Sequence, residues 1–158
     1  MSRGLVVVDT NLLVLLVVGS ASRSYISKHK RLKGDYTAGD FDLLVLLISE
    51  FSDLVLMPHV LTEVSNIARQ IDPPARIEIQ AAFRTLIMTC TELSIPSAHG
   101  VQRAEFMTLG LTDAMLLHLC AMKEVGLNPT LISVDSDLVD AAHAQGYSVI
   151  DYRRDFVE

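Results

Sequence analysis

Five acidic residues of this 158-residue sequence, Asp9, Glu63, Asp113, Asp135 and Asp137, combine residue type and position in a way that suits chemistry. Asp9 ends the apolar run Leu5-Val-Val-Val, and Asp135 ends a second run, Leu131-Ile-Ser-Val. A charge at the end of a buried strand is costly unless it is used, and ligands of open α/β sheets bind at the carboxyl ends of strands. Carboxylates gathered without cationic partners in their motifs repel one another, and a divalent cation is the simplest remedy. A hard cation held by oxygen ligands beside an acidic edge is the equipment of phosphodiester hydrolysis.

The composition is compatible with such a site and excludes others. Half of the residues are apolar and a fifth are charged, which is the balance of a globular chain long enough to bury a full core. We read residues 1–158 as a single domain. Cys90 and Cys120 lie in apolar surroundings without metal-type spacing, so we expect buried, reduced thiols, no zinc and a cytoplasmic setting. Arg3, Leu12–Val18 and the small residues Gly19-Ser-Ala-Ser resemble a secretory signal. Asp9, Thr10 and Asn11 argue against that reading, because an Asp in an inserting apolar segment costs about 3 kcal/mol. The run Leu12–Val18 is also too short to span a bilayer, so no membrane association is expected.

The net charge of −6 disfavours indiscriminate affinity for nucleic acid, but its distribution is uneven. Five of the 13 Lys and Arg residues fall in Arg23–Lys33, where there is no acid; the other eight share the chain with all 19 acids. Lys28, Lys30, Arg31 and Lys33 are therefore candidate nucleic-acid-binding residues that would steer phosphates toward the carboxylates. A solvated segment with a positive face is the plainer alternative.

These residues must be held by secondary structure. Leu5–Val8, Leu54–Met57, Glu92–Ile95, Thr130–Val134 and Ser148–Ile150 read as short strands. Between them, helices are predicted over Leu12–Val18, Phe41–Phe51 with Asp40 as cap, Pro58–Ile71, Ala75–Thr89, Ser97–Met107, Thr112–Val125 and Ser136–Gln145. Strands alternating with helices imply an α/β fold: a mostly parallel sheet of four to five strands in a three-layer domain, with helices on both faces. A helix that follows a strand starts at the carboxyl edge, which places Glu63 and Asp137 there. A helix that precedes a strand by a short loop runs antiparallel to it, so Asp113 faces the same edge.

Each acid also has a plain structural reading. Asp113 could favour a helix dipole with Thr112 as N-cap, Asp135 could be an N-cap, Asp137 a first-turn dipole partner and Glu63 a solvated helix residue. Two neighbourhoods weigh against these. Glu63 borders the apolar stripe Val60, Val64, Ile67, Ala68 and Ile71, and Asp113 opens a helix apolar nearly all round, where a lone carboxylate would have its pKa raised. Asp9 has the weakest structural explanation, with no helix to cap except the one it starts; Asp9→Asn, which removes one of several repelling carboxylates, is expected to leave stability intact or improve it.

The ordered set Val8-Asp9-Thr10-Asn11, Glu63, Gly110-Leu-Thr-Asp113-Ala and Ser133-Val-Asp135-Ser-Asp137-Leu resembles the PIN-domain nucleases over essentially the whole chain. The resemblance implies a five-stranded parallel sheet between helices and one or two Mg²⁺ or Mn²⁺ ions. It also implies cleavage of single-stranded RNA or structured nucleic acid. By position, Asp9, Glu63, Asp113 and Asp135 match the catalytic, metal-binding acids. Asp137 matches an additional acid, and Asn11 and Ser133 match polar residues that orient the metal ligands. Many small prokaryotic members are toxins neutralised by a cognate antitoxin, often as dimers, so an antitoxin and a second copy of the chain are implied partners beside RNA.

Within that reading Asp9 and Asp135, on rigid strand ends, are expected as the closest ligands, while Glu63, Asp113 and Asp137 act through water or hold a second ion. Hydrolysis would leave a 3′-hydroxyl and a 5′-phosphate. The five histidines show no metal spacing, and His118 reads as a core residue. An aspartyl-phosphate phosphatase would need a second Asp where Asn11 stands. A catalytically silent domain that binds nucleic acid or protein is the non-enzymatic alternative.

Overall fold

The computed structural model describes residues 3–122 and 127–153. Five strands form one all-parallel sheet: β1 Leu5–Val8, β2 Asp53–Leu56, β3 Thr91–Glu92, β4 Thr130–Ser133 and β5 Val149–Asp151. Their order is β3-β2-β1-β4-β5. The chain therefore builds outward from β1 in both directions, and right-handed crossovers on opposite sides of β1 lie on opposite faces of the sheet. That is the three-layer α/β architecture expected from the alternation of elements.

Register follows the apolar runs. Val6, Val7 and Val8 pair with Thr130, Leu131 and Ile132, and Leu131–Ser133 pair with Val149–Asp151. The central strands are buried on both sides, which is why they read as continuous aliphatic runs rather than alternating ones.

The helices are α1 Thr10–Ala21, α2 Ala38–Ser49, α3 Pro58–Ala68, α4 Ala75–Thr89, α5 Ala98–Val101, α6 Phe106–Leu109, α7 Leu111–Ala121 and α8 Ser136–Ala144. Helix α1 is buried without interruption from Leu12 to Gly19, because α2, α3 and α4 all pack on it. At Gly19 an added Cβ would collide with the Phe41 ring of α2, so this helix pair closes only over a glycine.

Several boundaries differ from the sequence reading for identifiable reasons. Thr37, not Asp40, caps α2; Asp40 is its reciprocal partner three residues on, a capping box. The helix expected over Ser97–Met107 is two single turns, α5 and α6. Gly110, with φ of +88°, begins α7, so Thr112 lies inside the helix and is not its cap. The expected extension of α7 to Val125 runs into residues 123–126, outside the described part. Cys120 is buried but Cys90 is only half-buried; both are free thiols. Among the described residues no helix is long and apolar enough to cross a membrane.

Candidate active site

The strand order reverses at β1, and its neighbour β4 returns from the far end of the chain. Such a reversal opens a crevice at the carboxyl ends of the adjacent strands. Asp9 follows β1 directly and Asp135 follows β4 by one residue, so this crevice brings together positions 126 apart in sequence.

Asp9 is buried, with 5% of its surface exposed. Its Oδ1 accepts the Leu12 N–H at 3.1 Å, and its Oδ2 accepts the Ser133 hydroxyl at 2.5 Å and the Val134 N–H at 3.0 Å. One carboxylate thus caps α1 and ties β1 to the end of β4. Asp9, read from sequence as the least structural of the acids, caps the one helix open to it, the helix it starts. Burial raises its pKa, and the three hydrogen bonds oppose that shift.

Ser133 is fully buried and joins two of the acids. It donates to Asp9 and accepts the Asp135 N–H at 3.0 Å. Asp135 is exposed, and its Oδ1 accepts the N–H groups of Asp137 and Leu138 at 2.9 and 3.1 Å, capping α8. Its carboxylate therefore has a fixed orientation and one oxygen without a backbone donor.

Asp113 stands in the first turn of α7, partly buried. Its carboxyl is pushed up to about 7, first by burial and then by the charges of Asp135, Asp9 and Glu63. Three of the other sequence-predicted acids are thus close enough to act on Asp113. Asp137 is an exposed first-turn residue of α8 that does not contribute to that field; its backbone N–H is held by Asp135.

Asn11, in the first turn of α1, accepts from the Arg31 guanidinium at 3.4 Å. The basic segment therefore reaches the acidic crevice through Arg31. Lys28, Lys30 and Lys33 instead surround a separate cavity beside the start of α4.

Three neighbours were not singled out from sequence. Tyr36 is buried, and its phenol is raised by burial and then by the charge of Asp9. Arg153 lies over the Tyr36 ring, 4.8 Å from its centre. Asp151, buried at the end of β5, pairs in register with Ser133. Its signal was present, since Val149-Ile-Asp repeats the apolar run ending in Asp that marks β1. Tyr36 and Arg153 gave no comparable signal, because only folding brings them to the crevice. His118, read from sequence as a core residue, is only half-buried and stacks on His99 with ring centres 4.8 Å apart.

Among the described residues no three His, Cys, Asp or Glu side chains form a ready-made metal cage. The hydrogen bonds explain this: both oxygens of Asp9 and one of Asp135 face protein donors. The site fits an ion that takes one or two carboxylates and completes its shell with water and substrate oxygens, as Mg²⁺ does. The charges that act on Asp113 are negative: the three neighbouring acids each raise it. No protein-family model and no curated protein matches the chain.

Proposed function

We propose that this chain is a metal-dependent nuclease of the PIN type, an endoribonuclease that hydrolyses phosphodiester bonds in single-stranded or structured RNA. The observation that carries the reading is the junction of β1 and β4. There Ser133 couples Asp9 to Asp135, and Glu63 and Asp113 add negative charge that, among the described residues, no salt bridge offsets.

In this reading Asp135 and Asp9 hold a Mg²⁺ or Mn²⁺ ion, with Asp113, Glu63 and Asp137 contributing through water. When bound, the ion supplies an acidified water and neutralises charge developing on the phosphate. Without a cation, burial and the neighbouring acids push the Asp113 carboxyl up to about 7, and a bound ion would favour its ionised form. Ser133 and Asn11 orient the acids and Arg31. Arg31 offers positive charge to the backbone of a strand entering an otherwise negative crevice.

The test is cleavage of a mixed single-stranded RNA. Activity should require Mg²⁺ or Mn²⁺, stop with EDTA and be lost in Asp135→Asn. Undiminished cleavage in EDTA would sink the metal mechanism. The resemblance extends the reading to a toxin restrained by a cognate antitoxin, tested by growth arrest on expression and its rescue by the co-expressed partner. The hydrogen bonds that occupy Asp9 favour one second reading, a silent binding domain. It predicts RNA binding with no cleavage at any metal concentration.

A further inference from the structure

The basic segment divides between two places. Arg31 turns to Asn11 at the acidic crevice, whereas Lys28, Lys30 and Lys33 line a cavity of about 600 Å³. Ile71 and Pro74, from the connection between α3 and α4, give this cavity an apolar side, and Tyr25 adds an aromatic ring.

The lysines are placed there by a rigid main chain. Ile26, His29 and Leu32 are each no more than 1% exposed, so every third residue of the segment is anchored in the core. The His29 ring accepts the Arg31 N–H at 3.1 Å on Nδ1. Its Nε2 must then carry the ring proton and donate to the Ala68 carbonyl at 3.1 Å. Burial lowers the His29 pKa, which keeps this neutral form. The Lys30 N–H bonds the Gln70 carbonyl at 3.2 Å. The segment is thus stitched to the end of α3, and its cations project from a fixed frame.

Among the described residues none of these three lysines makes an ion pair or a side-chain hydrogen bond. The one carboxylate in the lining, Asp72, is within salt-bridge distance of none of them. Glu78, nearby on α4, is occupied by the Tyr25 hydroxyl. Three lysines against one carboxylate leave the lining with a net charge of about +2, which favours an anion. The apolar wall and the aromatic ring suit a flat heterocycle, and the volume lies within the range of small-molecule sites.

The cavity also lies on the same side of the sheet as the acidic crevice. Helix α4 precedes the parallel strand β3 by a single residue, so its first turn, with Ala75 in the lining, lies on the carboxyl side of the sheet. Lys30 in the cavity and Arg31 at the crevice are consecutive residues.

We propose that this lysine-walled cavity is a nucleotide subsite, which takes a phosphate on Lys28, Lys30 and Lys33 and a base against Tyr25 and Pro74. It would hold the part of a nucleic-acid strand that flanks the acidic crevice. The proposal rests on the nuclease reading for its purpose, but its test does not. The whole chain is titrated with adenosine 5′-monophosphate, inorganic phosphate and adenosine in EDTA, followed by backbone amide NMR shifts. Saturable shifts at Lys28–Lys33 and Ile71–Ala75 are expected, strongest with the monophosphate, weaker with phosphate and weakest with adenosine.

Replacing all three lysines by alanine should weaken monophosphate binding at least ten-fold, and replacing all three by arginine should restore it. The melting temperatures should stay alike, since the lysines are exposed. Wild-type affinity in the alanine variant would overturn the site. So would shifts confined to Asp9, Asp113 and Asp135, or equal affinity for adenosine or for phosphate alone. Absence of RNA cleavage at every Mg²⁺ and Mn²⁺ concentration would overturn the nuclease reading and leave this result standing.

Discussion

The Ser133 hydroxyl donates to the Asp9 carboxylate at 2.5 Å, joining the carboxyl ends of β1 and β4 at a point where the strand order reverses. The same oxygen accepts the Asp135 N–H. A single buried hydroxyl therefore sets the relation between the two acids expected to lie closest to a metal. Ser133→Ala should cost about 1–2 kcal/mol, the usual loss when a buried donor and acceptor are orphaned. It should also lower kcat more than it raises KM, because the acids lose their mutual placement rather than their charge. Urea unfolding and steady-state cleavage check the two parts; an unchanged kcat would remove Ser133 from any positioning role.

Asp113 makes metal-free stability depend on pH with a definite sign. Unfolded, its carboxyl titrates near 3.8; folded, near 7. Between those values the folded protein holds the extra proton, so stability falls as pH rises and levels off above about 7. Asp9, also raised, acts in the same direction. Asp113→Asn should flatten this slope and raise the metal-free melting temperature above neutrality. Since a bound cation needs the ionised carboxylates, stabilisation by Mn²⁺ should grow as pH rises through about 7. Thermal melts across pH, with and without Mn²⁺, measure both trends.

Asp9 is a cap as well as a candidate ligand, which reverses the expectation that replacing it leaves stability intact. Asp9→Ala removes the α1 cap and orphans the Val134 N–H, for a loss of about 1–3 kcal/mol. Asp9→Asn keeps an oxygen for Leu12 but turns an amide N–H₂ toward the Val134 N–H, and should fall between Ala and wild type. Both should be inactive. Chemical denaturation in EDTA separates the structural loss from the catalytic one; unaltered stability in Asp9→Ala would contradict the capping geometry.

Among the described residues, Arg31 is the cation that bonds Asn11 at the acidic crevice. Arg31→Ala should weaken single-stranded RNA binding and lower the log–log salt slope by about 0.7, the share of one phosphate contact. Stability should change by no more than about 0.5 kcal/mol, because the side chain is exposed. Binding isotherms at several salt concentrations decide it. An unchanged slope would assign Arg31 to Asn11 alone.

Much of this arrangement was determined by the sequence itself. Aliphatic runs ending in Asp mark β1 and β4, because a short apolar run closed by a polar residue suits a parallel strand covered on both faces. Pro58 starts α3 because its missing N–H is harmless in a first turn. The rule relating helix direction to strand direction placed Asp113 on the same edge as Asp9. Tertiary structure decided the rest, since it depends on partners distant in the chain. Strand order is set by which aliphatic edges pair, and no local pattern states that β4 lies beside β1. The double duty of Asp9 required Val134 and Ser133 to arrive from the other end of the sequence. The parting of Arg31 from Lys28, Lys30 and Lys33 arose because the core takes Ile26, His29 and Leu32, leaving the cations on different sides of the anchored turns.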